Sequence, residues 1–284
     1  MARALPFERA SDFGAFVGRL AFHLLARRRR IAEENIARAL GADVPGGGDP
    51  VAVRALARSA FEQLGRSFLE FLALPAQSPE SLVARVTFEG FDPMMARLRE
   101  GKGAIMITAH FGNWELLGAV VGVKTGRVKY LLPAQTNPAA DAYLNDVRRR
   151  LGIEPLQIGF GMRSGLRALR EGAFVGMLPD QDARKVGLHV PFFGRLASTH
   201  TAPARLAMSA RCPIMVALLT REGPGRFRAR LRRVLTPDAA APEAAEVERL
   251  TRLMNEAIEE GIRERPEHWY WIHRRWKTPP PVTS

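Results

Sequence analysis

Ala104-Ile-Met-Ile-Thr-Ala-His-Phe-Gly-Asn-Trp-Glu-Leu-Leu-Gly-Ala-Val-Val-Gly-Val123 changes character midway, and the change sets the architecture. Ala104 to Thr108 reads as a buried strand and Trp114 to Val123 as a helix. Gly112 and Asn113 permit a tight turn between them. In an open α/β sheet, chemistry collects at the carboxyl ends of strands. His110 sits on this strand-to-helix turn, where backbone N–H groups face a ligand. Glu115 follows five residues later, in the first helical turn. On one continuous helix that spacing separates the two side chains. With His110 ahead of the helix, the chain can fold back and bring the carboxylate to the imidazole.

Outward from this segment, short β-branched runs alternate with helical stretches. Before it come a strand at Val86 to Phe88 and a helix at Pro93 to Arg99. After it come strand Val128 to Leu132, helices Ala139 to Leu151 and Met162 to Glu171, and strand Ala173 to Leu178. Helix Thr201 to Ala210, strands Ile214 to Thr220 and Arg226 to Val234, and helix Pro242 to Arg265 complete the alternation. The first third reads as helical: Phe13 to Arg30, Ile31 to Leu40, a Gly- and Pro-rich loop from Gly41 to Pro50, then Val51 to Leu74. The pattern predicts an α/β domain whose sheet is covered by helices on both faces.

The chain has 284 residues, long enough for one large domain, and 42 Lys+Arg against 29 Asp+Glu give a net charge of +13. That excess points to an anionic partner: nucleic acid, a phospholipid surface, a phosphorylated substrate or an acidic carrier protein. The single Cys212 excludes an intramolecular disulfide and suits a reducing compartment. Beside Pro213 and ahead of an apolar strand, it reads as a buried small residue.

No run reaches the roughly 18 apolar residues of a membrane span. Phe13 to Ala26 is too short, carries Arg19 and His23, and precedes Arg27-Arg-Arg-Arg30, the reverse of a signal peptide. Phe13 to Arg30 reads as an amphipathic helix with two possible partners. It lies in the headgroup layer with arginines on lipid phosphates, or it packs on the protein with a solvated basic end.

A carboxylate that accepts from one ring nitrogen of His110 fixes the tautomer and raises the basicity of the other. That nitrogen can take a proton from an alcohol attacking an acyl group. A thioester donor removes the need for an enzyme nucleophile. By spacing alone, the pair could equally be a structural His near a helix N-terminus.

Thr108-Ala-His-Phe-Gly-Asn-Trp-Glu-Leu116 resembles the histidine motif of the bacterial lipid A late acyltransferases, the lauroyl/myristoyl transferase family, within the H-x4-D/E glycerolipid acyltransferases. Asn137-Pro138 with Arg148 resembles the family's second block. Leu178-Pro-Asp-Gln-Asp182 and Val190-Pro-Phe-Phe-Gly194 look like its third. Pro266-Glu-His-Trp-Tyr-Trp-Ile-His-Arg-Arg-Trp-Lys277 looks like its C-terminal signature. The match runs from about residue 30 to Lys277.

The resemblance implies a single α/β domain with a central mixed sheet over residues 31–284, preceded by an amphipathic, membrane-associating segment over 1–30. It implies transfer of a fatty acyl chain from acyl carrier protein to a hydroxyl of a lipid A precursor, with no cofactor and no metal. His110 is the implied general base and Glu115 the residue that orients it. Arg148 is implied to stabilise the oxyanion or hold an acceptor phosphate, with Gly112 and Asn113 on the substrate or oxyanion side, while Arg149 and Arg150 read as solvated. Asp180 would position Arg148 or the acceptor; the alternative for Asp180 and Asp182, with His189 and His200, is metal binding. The partners implied are acyl carrier protein, a phosphorylated glycolipid and an anionic membrane surface, with no nucleic acid. The implied location is the cytoplasmic face of the bacterial inner membrane.

Trp269, Tyr270, Trp271 and Trp276, interleaved with basic residues, imply packing near the active site plus lipid contact. Two departures bear on the acceptor and on membrane attachment: Ser198-Thr-His-Thr-Ala-Pro203 lacks a glycine after the threonine, and the clear N-terminal anchor of many relatives is missing. Two competing readings are acyl transfer to another lipid, such as a lysophospholipid, an ornithine lipid or a phosphoinositol mannoside, perhaps from acyl-CoA, and a basic nucleic-acid-binding protein.

Overall fold

The computed structural model describes residues 6–41, 48–132, 137–157 and 161–281. Most of the Gly- and Pro-rich loop read at Gly41 to Pro50 lies outside them. Three helices lead: α1 (Phe7–Leu24), α2 (Ala26–Leu40) and α3 (Pro50–Ala73). Then follow α4 (Pro79–Ala84), β1 (Val86–Glu89), α5 (Asp92–Arg99), β2 (Ala104–Ile107), α6 (Trp114–Thr125), β3 (Val128–Leu132), α7 (Pro138–Arg150) and β4 (Ile153–Gln157). The chain continues with α8 (Gly161–Arg170), β5 (Phe174–Met177), β6 (Leu188–Phe192), β7 (Arg195–Thr199), α9 (Ala202–Ala210), β8 (Ile214–Gly223), β9 (Arg226–Leu235) and α10 (Glu243–Glu264).

Seven strands form one mixed sheet in the order β1-β9-β8-β2-β5-β3-β4, parallel except for the antiparallel β8–β9 pair. Strand β8 shows why both faces are covered. Ile214, Val216 and Leu218 join one core with α9 and α10, while Met215, Ala217 and Leu219 join the other with α6. That is period-two alternation with both sides apolar. The central β2 and β5 are buried along their length, apart from a half-buried Met106. Their carboxyl ends carry the site.

The amphipathic segment expected as one helix from Phe13 to Arg30 is two. Helix α1 ends at Leu24, Leu25 leaves the helical region (φ −95°, ψ 61°), and the arginine run opens α2. Helix α1 lies against α3 at backbone distance: a Cβ on Gly14, Gly18 or Gly65 would fall 2.1–2.4 Å from a carbonyl oxygen of the facing helix. The residues turned away from α3 stay exposed, namely Phe13, Phe16, Val17, Leu20 and Leu24. Among the described residues, no helix is long and apolar enough to cross a membrane.

Candidate active site

Strand β2 delivers His110 and strand β5 delivers Asp180, on adjacent parallel strands in register (Ile107 beside Met177). Asp180 Oδ1 lies 2.8 Å from His110 Nδ1, and Oδ2 accepts the His110 backbone N–H at 2.9 Å and the Trp269 indole N–H at 2.9 Å. Burial pushes the Asp180 carboxyl up, but the charge of His110 and these donors outweigh it and hold the pKa at about 2. A carboxylate fixed on Nδ1 makes that nitrogen the donor and leaves Nε2 with its lone pair. The Gln181 side-chain nitrogen lies 3.4 Å from Nε2. The imidazole keeps 24% of its surface exposed against 1% for Asp180, so its free edge faces the opening.

This corrects the expected partnership. Glu115 does not reach His110; it receives Arg148 in a two-pronged ion pair, Nη2 to Oε1 at 2.5 Å and Nε to Oε2 at 3.2 Å. Glu115 sits in the first turn of α6 and Arg148 in the last turn of α7, each favourable for its charge. Burial works against the Arg148 charge, yet the Glu115 carboxylate more than compensates and raises its pKa. Arg148 is buried where Arg149 and Arg150 are exposed, and its third hydrogen bond goes to Asn145 Oδ1 at 3.1 Å. The three hydrogen bonds of Arg148 thus go to Glu115 and Asn145 within the protein. Asp180, expected on Arg148 or the acceptor, is the residue that orients the histidine.

Gly112 and Asn113, expected on the substrate or oxyanion side, direct polar groups into the protein. Gly112 (φ 55°) donates its N–H to His268 O at 2.8 Å, and its carbonyl accepts from Ser67 Oγ at 2.8 Å. Asn113 Oδ1 caps α6 through Leu116 N at 2.9 Å, while Nδ2 donates to Glu70 Oε2 at 2.8 Å. Glu70 in turn holds Arg221 in a buried pair at 2.5 and 2.9 Å. The sequence reading passed over both Glu70 and Arg221; the available signal was a charge on the apolar face of a helix and another in an apolar strand.

The C-terminal segment closes the turn from above. Tyr270 N donates to His110 O at 3.0 Å, and the Tyr270 and Trp114 rings flank the imidazole at 5.7 and 5.2 Å. Asn35 on α2 ties this segment down through Trp271 O and His273 O, at 2.7 and 2.6 Å. Trp269 and Trp271 are buried, so the lipid contact expected of them is not available, whereas packing beside the site is. Arg275 is fully buried on Ser198 O and Thr199 Oγ1, and burial lowers its pKa to about 10. Cys212 is buried as expected, with its thiol pushed up to about 11. Among the described residues, no three His, Cys, Asp or Glu groups converge to hold a metal ion, and Asp182 instead accepts from Thr278 Oγ1 at 2.9 Å.

Beneath the turn, a narrow apolar cavity lies between the sheet and α6. Thr108 and Leu178, each two residues before His110 and Asp180, line it, together with Met106, Gly118, Val121 and Tyr130. Thr108 Oγ1 is buried there with no hydrogen-bond partner among the described residues. The cavity measures about 30 Å³, room for a single water beside that hydroxyl.

An imidazole oriented by a buried carboxylate at the carboxyl ends of β2 and β5 is the chemical centre of this site. The chain belongs to the bacterial lipid A biosynthesis acyltransferase family, whose model matches residues 1–278. It is similar to the lipid A biosynthesis palmitoleoyltransferase of Escherichia coli K12, with 26% identity over 97% of this chain and 87% of the relative. The lauroyltransferase of the same organism is 25% identical over 97% and 88%. A phosphatidylinositol mannoside acyltransferase of Mycobacterium tuberculosis is 24% identical over 86% and 75%. The protein is an acyltransferase acting on lipid acceptors.

Proposed function

We propose that this protein transfers a fatty acyl chain from an acyl carrier protein thioester to a hydroxyl of a lipid A precursor, as a step of lipopolysaccharide biosynthesis. The observation that carries the reading is the Asp180–His110 pair, with the unpartnered Thr108 hydroxyl two residues before His110. His110 Nε2 takes the proton of the acceptor hydroxyl as the oxygen attacks the thioester carbonyl. The carbonyl oxygen gains negative charge, and the Thr108 hydroxyl is the donor we assign to it. Collapse expels the thiolate, which takes the proton from His110, leaving an ester and a free thiol.

Two anionic partners, carrier protein and phosphorylated glycolipid, suit the +13 charge. We assign attachment at the cytoplasmic face of the inner membrane to α1. Phe13, Phe16, Val17, Leu20 and Leu24 share one helical face, with Phe68 of α3 exposed nearby in the same helix pair. Arg27 and Arg30, exposed at the start of α2, suit lipid phosphates.

A second acceptor is favoured by the likeness to phosphatidylinositol mannoside acyltransferases, at nearly the same identity as to the lipid A enzymes. Lipid mass spectrometry of a strain lacking the protein separates the two. Lipid A lighter by one acyl chain is the expected result; intact lipid A with another lipid underacylated would move the assignment to that lipid.

A further inference from the structure

Helix α8 carries arginines on one face and core residues on the other. Arg163, Arg167 and Arg170 fall within about 60° of one another around the helix axis, and all three are exposed. Gly165, Ala168 and Leu169, on the opposite face, are buried. No carboxylate answers the stripe. Helix α8 contains no Asp or Glu, and Glu171, just past its end, pairs with Lys129 at 3.8 Å. Among the described residues, none of the three arginines has an ion pair or a side-chain hydrogen bond. Helix α10 shows the contrast: its Arg249, Arg252 and Arg263 pair with Glu246, Glu256 and Glu259, three or four residues away. Topology ties the stripe to the site. Strands β4 and β5 run parallel to β2, so the helix between them begins at the carboxyl ends of the strands, where β5 leads into Asp180. Met162, 41% exposed, sits at that end beside Arg163.

We propose that the exposed face of α8 is the docking surface for the acyl carrier protein, its three arginines meeting carboxylates on an acidic helix of the carrier. The inference rests on the thioester-donor reading of the site and adds the surface that recognises the protein part of the donor. Three cations spread over about 10 Å of helix match carboxylates that repeat every three or four residues on a facing helix. The arrangement suits a protein better than a bilayer. An interfacial helix inserts a row of large apolar side chains, as α1 offers with Phe13, Phe16, Val17, Leu20 and Leu24. Of the described large apolar side chains of α8, only Met162 is exposed. A methionine among arginines is the composition of a protein contact, adaptable where it packs and charged around it. A carrier docked there holds its thioester at the end of the sheet that carries His110. Charge pairing of this kind sets the rate and the salt dependence of encounter.

The test compares two donors with one lipid acceptor: the acyl carrier protein thioester, and the same acyl chain on a small thiol. The triple variant Arg163→Glu, Arg167→Glu, Arg170→Glu should raise KM for the carrier donor at least tenfold, and leave kcat/KM for the small thioester unchanged. Titration of labelled acyl carrier protein reads the same surface without catalysis: Kd should rise at least tenfold at low salt, and high salt should shrink the difference. The triple Arg→Lys variant should stay close to wild type on both measures, and thermal melts check that each variant is folded. Carrier KM and Kd unchanged in the folded Glu variant overturn the docking surface while leaving acyl transfer intact. An equal fall with both donors overturns it too, because the stripe would then act on the site itself. Weaker binding to anionic phospholipid vesicles, with carrier KM unchanged, gives the stripe to the membrane instead. Wild-type protein that acylates lipid from the small thioester but never from the carrier refutes the donor reading, and this inference with it.

Discussion

Replacing Asp180 by Asn keeps the shape of the side chain and removes the charge that fixes His110. The carboxylate accepts three N–H groups, at 2.8, 2.9 and 2.9 Å. An amide offers one oxygen and one NH2, so a donor must face a donor at the imidazole or at the Trp269 and His110 N–H pair. If the NH2 turns to Nδ1, that nitrogen becomes an acceptor and Nε2 holds the proton it should be taking. Positioned general bases contribute about 10²- to 10⁴-fold, so Asp180→Asn should lower kcat by that range, about 3–5 kcal/mol of barrier, with the donor KM nearly unchanged. Glu115→Gln should behave differently. It weakens a buried pair with Arg148, which puts the cost on folding, up to about 3–5 kcal/mol and several degrees of Tm, with a smaller fall in kcat per folded molecule. The assay is steady-state acyl transfer beside a thermal melt for each variant. Asp180→Asn active within fivefold, with Glu115→Gln stable but a thousandfold slower, would refute the assignment of Asp180 to His110.

Glu70→Ala strands Arg221 and frees Asn113 at the catalytic turn, so unfolding in urea should come about 3–5 kcal/mol earlier; a change under 1 kcal/mol contradicts the clamp. Phe16→Glu with Leu20→Glu should weaken co-sedimentation with anionic phospholipid vesicles at least tenfold, because both side chains lie on the exposed face of α1; unchanged binding moves the membrane contact elsewhere. Burial lowers the His273 pKa from 6.5 to about 4, and Nε2 accepts from Asp182 N at 3.0 Å. The folded state thus resists protonation: the stabilisation is complete above pH 6.5 and is lost as pH falls towards 4. The difference is worth about 3 kcal/mol for a dry ring and about 1–2 kcal/mol for this partly solvated one. His273→Gln should flatten stability between pH 6.5 and 4 in denaturant titrations, and an unchanged slope refutes the link.

The strands and helices around His110 were legible because hydrophobic period and turn residues are local. Strand β4 was not: Pro155 sits in its middle and argues against a strand, yet β4 is the sheet edge, where a missing N–H costs little. The β6–β7 hairpin hid behind Pro191, and its two-residue turn puts Phe193 at φ 51° beside Gly194 at φ 68°, where a bulky residue gives no turn signal. The site shows the same division. Placing His110 on a strand-to-helix turn needed only local reading. Its partner did not follow from H-x4-E, because Asp180 is 70 residues away and meets it only through the β2–β5 pairing. Glu115 and Arg148 were both singled out, but their pairing depends on how α6 and α7 pack. The C-terminal aromatics were placed near the site from the family pattern, and burial then decides between core packing and lipid contact.

The central claim, His110 as the base that passes an acyl chain to a lipid hydroxyl, is tested most directly by mass. Purified protein is incubated with an acyl carrier protein thioester and a lipid A precursor. The expected products are a lipid heavier by one acyl group and an equal amount of free thiol, and neither with His110→Ala. A heavier lipid formed equally well by His110→Ala, or no acylated product from the wild-type protein with any lipid acceptor, would contradict it.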